Sequence, residues 1–175
     1  MKVGKNCKIS DKISIYGDEM IEIGDNVRID EFCILTGGKG LKIGSHTHIA
    51  AYSILYGTGG LTIGDFCGFA ARTTILTSTD DYSGFGLVTP CLPEKFKPGH
   101  LSAPVNVGRH VIAGVGCVVM PGTTIGDGVS IGAMSFIKKD CAPWFMYAGV
   151  PAKLIRPRKR DMLDLEKQFL EEYYA

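Results

Sequence analysis

Two adjacent carboxylates, Asp80 and Asp81 in TSTDDYSGFG, and an imidazole, His100 in KPGHLSAPV, are residue types suited to moving protons. An imidazole titrates near neutrality and can take a proton as a bond forms. A carboxylate on its second nitrogen fixes the tautomer and raises the basicity. The other histidines are His46, His48 and His110; three imidazoles could together hold a zinc ion with an activated water. Cys91 is a candidate nucleophile. Cations gather late in the chain, at Lys138 and Lys139 and again from Lys153 through Arg156, Arg158, Lys159 and Arg160. In isolation that second run reads as a solvated basic segment.

The bulk composition narrows the function classes. The chain has 175 residues, one domain's worth, and a formal net charge of +1. Such a balance offers no polyanion-binding face, so nucleic acid is not expected as a partner. No apolar run approaches the ~18 residues of a membrane span. MKVGKNCKIS lacks the apolar centre of a signal peptide, and a cytoplasmic location is the expectation. The six cysteines form no CxxC pair, which argues against a zinc ribbon or redox motif.

The elements that must position these residues come from an internal repeat. Large or small apolar residues recur every six positions: Val3, Ile9, Ile15; Ile23, Ile29, Leu35; Ile43, Ile49, Leu55; Ile63, Phe69, Ile75; Val107, Ala113, Val119; and Ile125, Ile131, Ile137. The first residue of each group is followed by glycine, at positions 4, 24, 44, 64, 108 and 126. A period of six suits neither a helix nor an alternating strand. It suits a short strand and a tight corner, taken three times to close a triangular coil. Glycine there allows a positive φ or a close backbone approach. Stacked coils pair as parallel strands about 4.8 Å apart, and only stacking makes the core continuous.

The fifth residue of each unit is small: Cys7, Cys33, Cys67, Cys117 and Cys141 stand beside Thr47, Ser53, Thr73, Thr123 and Ser135. Five of the six cysteines therefore read as small buried hydrophobes; Cys91 alone lies outside the lattice. TGGKGLKIG and YGTGGLTIG look like phosphate-binding glycine loops, but they recur at the structural period and read as bulged corners. After Pro157, Met162, Leu165, Phe169 and Tyr173 share the spacing of one helical face. Such a helix must pack on a coil or on a neighbouring subunit. The expected architecture is all-β, a parallel β-helix of about six three-strand coils over 1–156. A loop insertion at 78–104 and a C-terminal helical extension at 157–175 complete it.

The pattern resembles the left-handed β-helix of the hexapeptide-repeat acyltransferases. The resemblance runs from Val3 to Arg156 and is most specific in VIAGVGCVVMPGTTIGDGVSIGAMSFIKKD and YAGVPAKLIRPR. These runs are similar to the galactoside, maltose and xenobiotic acetyltransferase branch, and most of all to acetyltransferases of surface-polysaccharide synthesis. The left hand comes from the resemblance, since ordinary crossovers are right-handed.

The resemblance implies a homotrimer with acetyl-CoA in a cleft between subunits. It places backbone groups of Gly114, Val115 and Ala133 against the pantetheine arm. Lys138 and Lys139 fall at the cofactor's far end, and Lys153 and Arg156 at its phosphates, which recruit such cations. It also makes the interruption between Ile75 and Val107 a lid over the acceptor; loops this long are usually functional. Relatives carry a histidine at the start of that lid, where this chain has Asp80 or Asp81. The leading expectation is O-acetyl transfer to a sugar hydroxyl, with His100 as base and Asp80 or Asp81 orienting it. The alternative is N-acetyl transfer to an amino-sugar nucleotide, using the aspartates without a histidine base. A remoter one is a γ-carbonic-anhydrase-like metal site using His46, His48 and His110. His46 and His110 are otherwise expected to be solvated corner residues; His48, one strand from the acceptor cleft, is a candidate for contact with substrate.

Overall fold

The computed structural model describes residues 1–174. Each hexapeptide forms a strand of two or three residues and then turns. Six coils, followed by part of a seventh, stack into a left-handed parallel β-helix. The first wall runs from Lys2–Val3 through Ile21–Ile23, Leu41–Ile43, Leu61–Ile63 and Val105–Val107 to Thr124–Ile125. The second runs from Lys8–Ile9 through Arg28–Ile29, His48–Ile49, Gly68–Phe69, Ile112–Ala113 and Ser130–Ile131 to Phe145–Gly149. Ala152–Pro157 folds back antiparallel on that last strand. The third wall runs from Ser14–Tyr16 to Phe136–Ile137.

Pairing is in register, so each inward residue stacks on its counterpart, as Ile43 does on Ile63. Every repeat aliphatic from Ile23 to Ile137 is buried, whereas Val3 is 44% exposed because its coil is the open end of the stack. Cys33, Cys67, Cys117 and Cys141 are buried as expected. Their thiols are not idle: Cys67 Sγ donates to the Gly108 carbonyl (3.2 Å) and Cys117 Sγ to Gly132 (3.2 Å). Burial pushes the Cys67 thiol up to about 12, which removes it from nucleophilic chemistry.

The repeat glycines serve close approach. A Cβ on Gly44 would lie 2.5 Å from the Gly64 carbonyl carbon. The positive φ falls two residues later, on Asn6, Asn26, His46, Phe66 and His110 (55 to 58°) and Gly128 (66°). This αL corner carries a column of rings. His46 stacks on Phe66 at 4.7 Å, Phe66 on His110 at 5.3 Å, and His110 leans on Trp144 at 6.3 Å. His46 and His110 are therefore not solvated corners; His110 is 8% exposed.

What covers them is the C-terminal helix, Met162–Tyr174. Phe169 meets His46 and Phe66 edge-on. Glu166 accepts from His110 Nε2 (2.9 Å) and pairs with Arg109. Tyr174 bonds His46 Nε2 (3.1 Å) and accepts from Asn26 (2.7 Å). The docked face thus differs from the apolar spacing: Leu165 and Tyr173 are exposed. A charged residue turned the helix, because Arg109 and His110 on the coil give Glu166 two partners.

The insertion begins as a two-strand neck, with Ser78 opposite Ser102 and Thr79 opposite Leu101. Beyond the neck Tyr82, Phe85, Leu87 and Val88 are exposed.

Gly128 combines φ +66° with a Trp144 ring where its Cβ would be. Gly128→Ala should cost about 1–3 kcal/mol in backbone strain and displace the indole as well. A lowered thermal midpoint with altered emission from the single tryptophan would agree; an unchanged midpoint and spectrum would contradict it.

Candidate active site

The outer face of the second wall carries one residue per coil in a straight column: Lys8, Arg28, His48, Gly68, Ile112, Ser130 and Met146. From His48 to Met146 this column, with the adjoining corner, forms an open groove of about 650 Å³. Its corner side is built of small residues, Ala50, Ala70, Gly114 and Gly132, with Ala71 and Ala133 beside them. A Cβ on Gly114 would lie 2.6 Å from the Ala133 nitrogen, so that corner stays bare backbone. Gly114 donates its N–H to the Ile131 carbonyl (2.8 Å); it can meet a ligand through its own carbonyl. Ile112, about half exposed, lines the same space, and Val115, also about half exposed, follows Gly114 at the corner.

Two features mark the groove as a place for a ligand. Gly68 sits mid-strand, where glycine weakens a sheet and often signals close approach by another molecule. Among the described residues no atom lies within 4 Å of where its Cβ would be. Ser130 Oγ lines the groove, is shielded from solvent, and has no hydrogen-bond partner among the described residues; such a hydroxyl calls for an explanation.

At the C-terminal end Lys138, Lys139 and Lys153 line a second cleft of about 390 Å³, floored by Cys141, Tyr147 and Ala152. The fold thus joins three of the four anticipated cations. Arg156 stands off, over the groove's end, with Nε 3.3 Å from Met146 Sδ.

At the other end His48 Nε2 lies 2.8 Å from Asp30 Oδ2, and Arg28 Nε donates to Asp30 Oδ1 at 2.6 Å. Burial raises the Asp30 carboxyl, but the bonds from His48 and Arg28 outweigh it and leave it below the usual range. Asp30, Arg28, Gly68 and Ser130 were not singled out from the sequence. A signal existed: Asp30 precedes His48 by eighteen residues, two short of the twenty-residue restart, which makes them diagonal neighbours on adjacent coils.

The lid residues are arranged otherwise than the histidine-base expectation needs. Asp81 builds the loop: it accepts from Ser83 Oγ (2.7 Å), Ser83 N (3.0 Å), Phe85 N (2.7 Å) and Gly86 N (3.1 Å). The Ser83 hydroxyl, then the backbone N–H groups, hold its carboxyl down at about 2. Asp80 Oδ2 accepts weakly from Thr89 N (3.4 Å). His100 Nδ1 faces Glu94 Oε2 at 3.7 Å, and among the described residues neither aspartate hydrogen-bonds it. Cys91 is exposed in the lid.

The other candidates are committed elsewhere. In the glycine-rich corners Gly37 N donates to Tyr16 O (2.8 Å) and Gly57 N to Thr36 O (2.9 Å), so these N–H groups serve coil stacking. His46 and His110 belong to the ring column and His48 to the groove; among the described residues no three metal-ligating side chains converge.

A left-handed β-helix with an open groove on its second wall and a separate lysine-lined cleft at its C-terminal end is the architecture of the left-handed β-helix acyltransferases. Residues 104–139 match the family model for bacterial transferase hexapeptide repeats. The chain is 42% identical over 168 residues to dTDP-4-amino-4,6-dideoxy-D-glucose acyltransferase of Escherichia coli, covering 95% of this chain and 87% of that one. It therefore belongs to the hexapeptide-repeat transferase family. Among solved structures it resembles a variant of AntD, an N-acyltransferase from Bacillus cereus, in complex with dTDP-4-amino-4,6-dideoxyglucose and coenzyme A. That match has 44% identity, a TM-score of 0.94, and covers 98% and 91% of the two chains. AntD in complex with dTDP and 3-hydroxybutyryl-CoA matches at 39% identity and a TM-score of 0.91, covering 99% and 92%.

The Asp81 carboxyl is lowered in the folded protein, so its contribution to loop order is full above the unfolded value near 4. It fades as pH falls from there through about 2. Asp81→Ala should reproduce the acid state at neutral pH, seen as faster chymotryptic cleavage near Tyr82 and Phe85 with the thermal midpoint unchanged. Equal cleavage rates would show that the carboxylate does not order the loop. Gly68→Val should leave the thermal midpoint unaltered, since the side chain enters open space, while lowering coenzyme A affinity at least tenfold by calorimetry. Unaltered affinity would place the ligand elsewhere.

Proposed function

We propose that this chain transfers an acyl group from acyl-coenzyme A to the amine of a nucleotide-linked amino sugar. The observation that carries the reading is similarity, at 42% and 44% identity over nearly the whole chain, to two amino-sugar acyltransferases. It favours the amine alternative over the leading expectation of hydroxyl transfer. The lid supports the same choice: Asp81 is engaged in loop structure and His100 faces Glu94. A neutral amine attacks a thioester with much less help than a hydroxyl.

On this reading the coenzyme lies along the second wall. Lys138, Lys139 and Lys153 hold its phosphates by charge-assisted bonds, and the bare corner at Gly114 and Ala133 takes the pantetheine arm. His48 lies on the third coil and the lysine cleft spans the sixth and seventh, three to four coil spacings or roughly 14–19 Å away. An extended phosphopantetheine arm bridges a gap of that order, which brings the thioester beside His48 and Gly68. Ile112 and Val115 border the acyl end, and their bulk sets the acyl length admitted. The active site lies between subunits of a homotrimer; the exposed Tyr82, Phe85, Leu87 and Val88 of the lid are the apolar surface a neighbouring subunit covers. Among the described residues no helix is long and apolar enough to cross a membrane, and we place the enzyme in the cytoplasm, where acyl-CoA and nucleotide sugars are found.

Product mass discriminates the acceptors. Acetyl-CoA is supplied with a dTDP-linked 4-amino-4,6-dideoxyhexose, and separately with the matched 4-hydroxy sugar nucleotide. Mass gain on the amine alone, at a kcat/KM at least a hundredfold above the hydroxyl, is expected; transfer to the hydroxyl alone would overturn the reading.

A further inference from the structure

We propose that the stacked rings of Phe32 and Tyr52, with Arg72 on the following coil, seat the base and diphosphate of the acceptor nucleotide. This rests on the reading of the acceptor as a nucleotide-linked sugar, but not on which of its atoms takes the acyl group. The corner between the second and third walls places one residue per coil in the αL conformation: Phe32, Tyr52, Arg72, Gly116 and Met134, with φ between 58 and 71°. Gly116 shows that the turn needs no side chain there, and a bulky residue at positive φ is unfavourable. The turn itself therefore does not account for two large rings. They stack on each other with centroids 5.1 Å apart and planes at 26°, and they are 48% and 53% exposed.

The molecule supplies its own comparison. The corner between the first and second walls also carries rings at its αL positions, His46, Phe66 and His110, and there the C-terminal helix lies over them. Among the described residues nothing covers Phe32 and Tyr52 in that way, and their exposure is the result. Scattered surface rings need no explanation, but a stacked pair repeated on adjacent coils beside a groove is a platform.

Shape and charge set what fits it. Phe32 occupies one face of Tyr52, and among the described residues no ring or cation stands over the other. A nucleobase laid there continues the ladder as its third rung, and base–aromatic stacking is favourable whatever the base. Ala50, Ala51, Ala70 and Ala71 make up the rest of this corner on the third and fourth coils, so a flat ligand can come down close to the backbone. The exposed Arg72 is the charged member of those two rungs, and a guanidinium suits phosphate oxygens. On the second coil Asp30 is engaged by His48 and Arg28, and Glu31 is exposed. Ala50, Ala70 and Ala71 also line the groove of the second wall, so the corner and the groove share a border. Coenzyme A carries the same chemistry in its adenine nucleotide, but its phosphates have the lysine cleft on the sixth and seventh coils. The ladder, at the opposite end of the groove, is assigned to the acceptor.

The probes are dTDP and coenzyme A, titrated separately into the full chain by calorimetry. Tyr52→Leu keeps apolar bulk and removes the ring; it should weaken dTDP about tenfold and leave coenzyme A affinity as in wild type. Tyr52→Phe restores the ring and should bind dTDP as wild type does. Arg72→Gln should also weaken dTDP and flatten the dependence of its affinity on salt, the mark of a lost charge contact. Wild-type dTDP affinity in either Tyr52→Leu or Arg72→Gln would overturn the proposal. So would an equal loss of coenzyme A affinity, or a wild-type chain that does not bind dTDP. Loss of dTDP binding together with a smaller particle in sedimentation would overturn it too, because the rings would then be a contact between copies. These titrations involve no acyl transfer. Acylation of the hydroxyl sugar alone would therefore sink the amine reading and leave this seat standing, while unchanged dTDP affinity in the variants would do the reverse.

Discussion

Everything in this molecule depends on stacking the same coil again at one strand spacing. A single coil has no interior; its aliphatics become buried only when the next coil lies on them in register. That requires bare backbone wherever corners meet, which the repeat glycines supply. It also requires small second residues that can both fill the core and bond the neighbouring coil. The thiols of Cys33, Cys67 and Cys117 do so by donating to carbonyls one coil on. Thr47 reaches the Gly64 carbonyl of the next coil in the same way, whereas Ser53, Thr73, Thr123 and Ser135 donate to a carbonyl three residues back in their own coil.

Register has a second consequence, on the outside. Residues that share a place in the hexapeptide form straight columns on the surface, and each column acquires the character of its members. One corner gathers His46, Phe66, His110 and Trp144 into stacked rings, an apolar surface that the C-terminal helix covers. The second wall gathers His48, Gly68, Ile112 and Ser130 into a groove, with Arg28 on the coil before it. The solenoid is thus a ruler, and a long flexible ligand laid along it meets different chemistry at fixed intervals. Acyl transfer from a coenzyme with phosphates at one end and a thioester at the other uses such a ruler well.

The lid shows how position overrides residue type. Asp80 and Asp81 have the chemistry of proton carriers, yet Asp81 offers its oxygens to four donors within five residues of itself. Its carboxylate substitutes for the regular backbone pairing that the lid lacks. His48 and Asp30 look unremarkable in sequence because nothing near either of them is irregular, yet stacking brings them together at the groove's end.

The sequence by itself determined the coil. The period of six, the glycines at its first corner and the restart every twenty residues fix which side chains turn inward, since only one register buries them all. It determined the interruption and the helical extension for the same reason: both break the period. Resemblance to a family extended this to the handedness. The tertiary structure decided which outward residues meet. A column is made by coil-to-coil pairing, and Asp30 with His48, or Glu166 with His110, are adjacent only once coils are stacked and the helix is laid against them. It also decided the helix face, because the partners of Glu166 lie on a corner more than fifty residues away in sequence, and local apolar spacing carries no information about them.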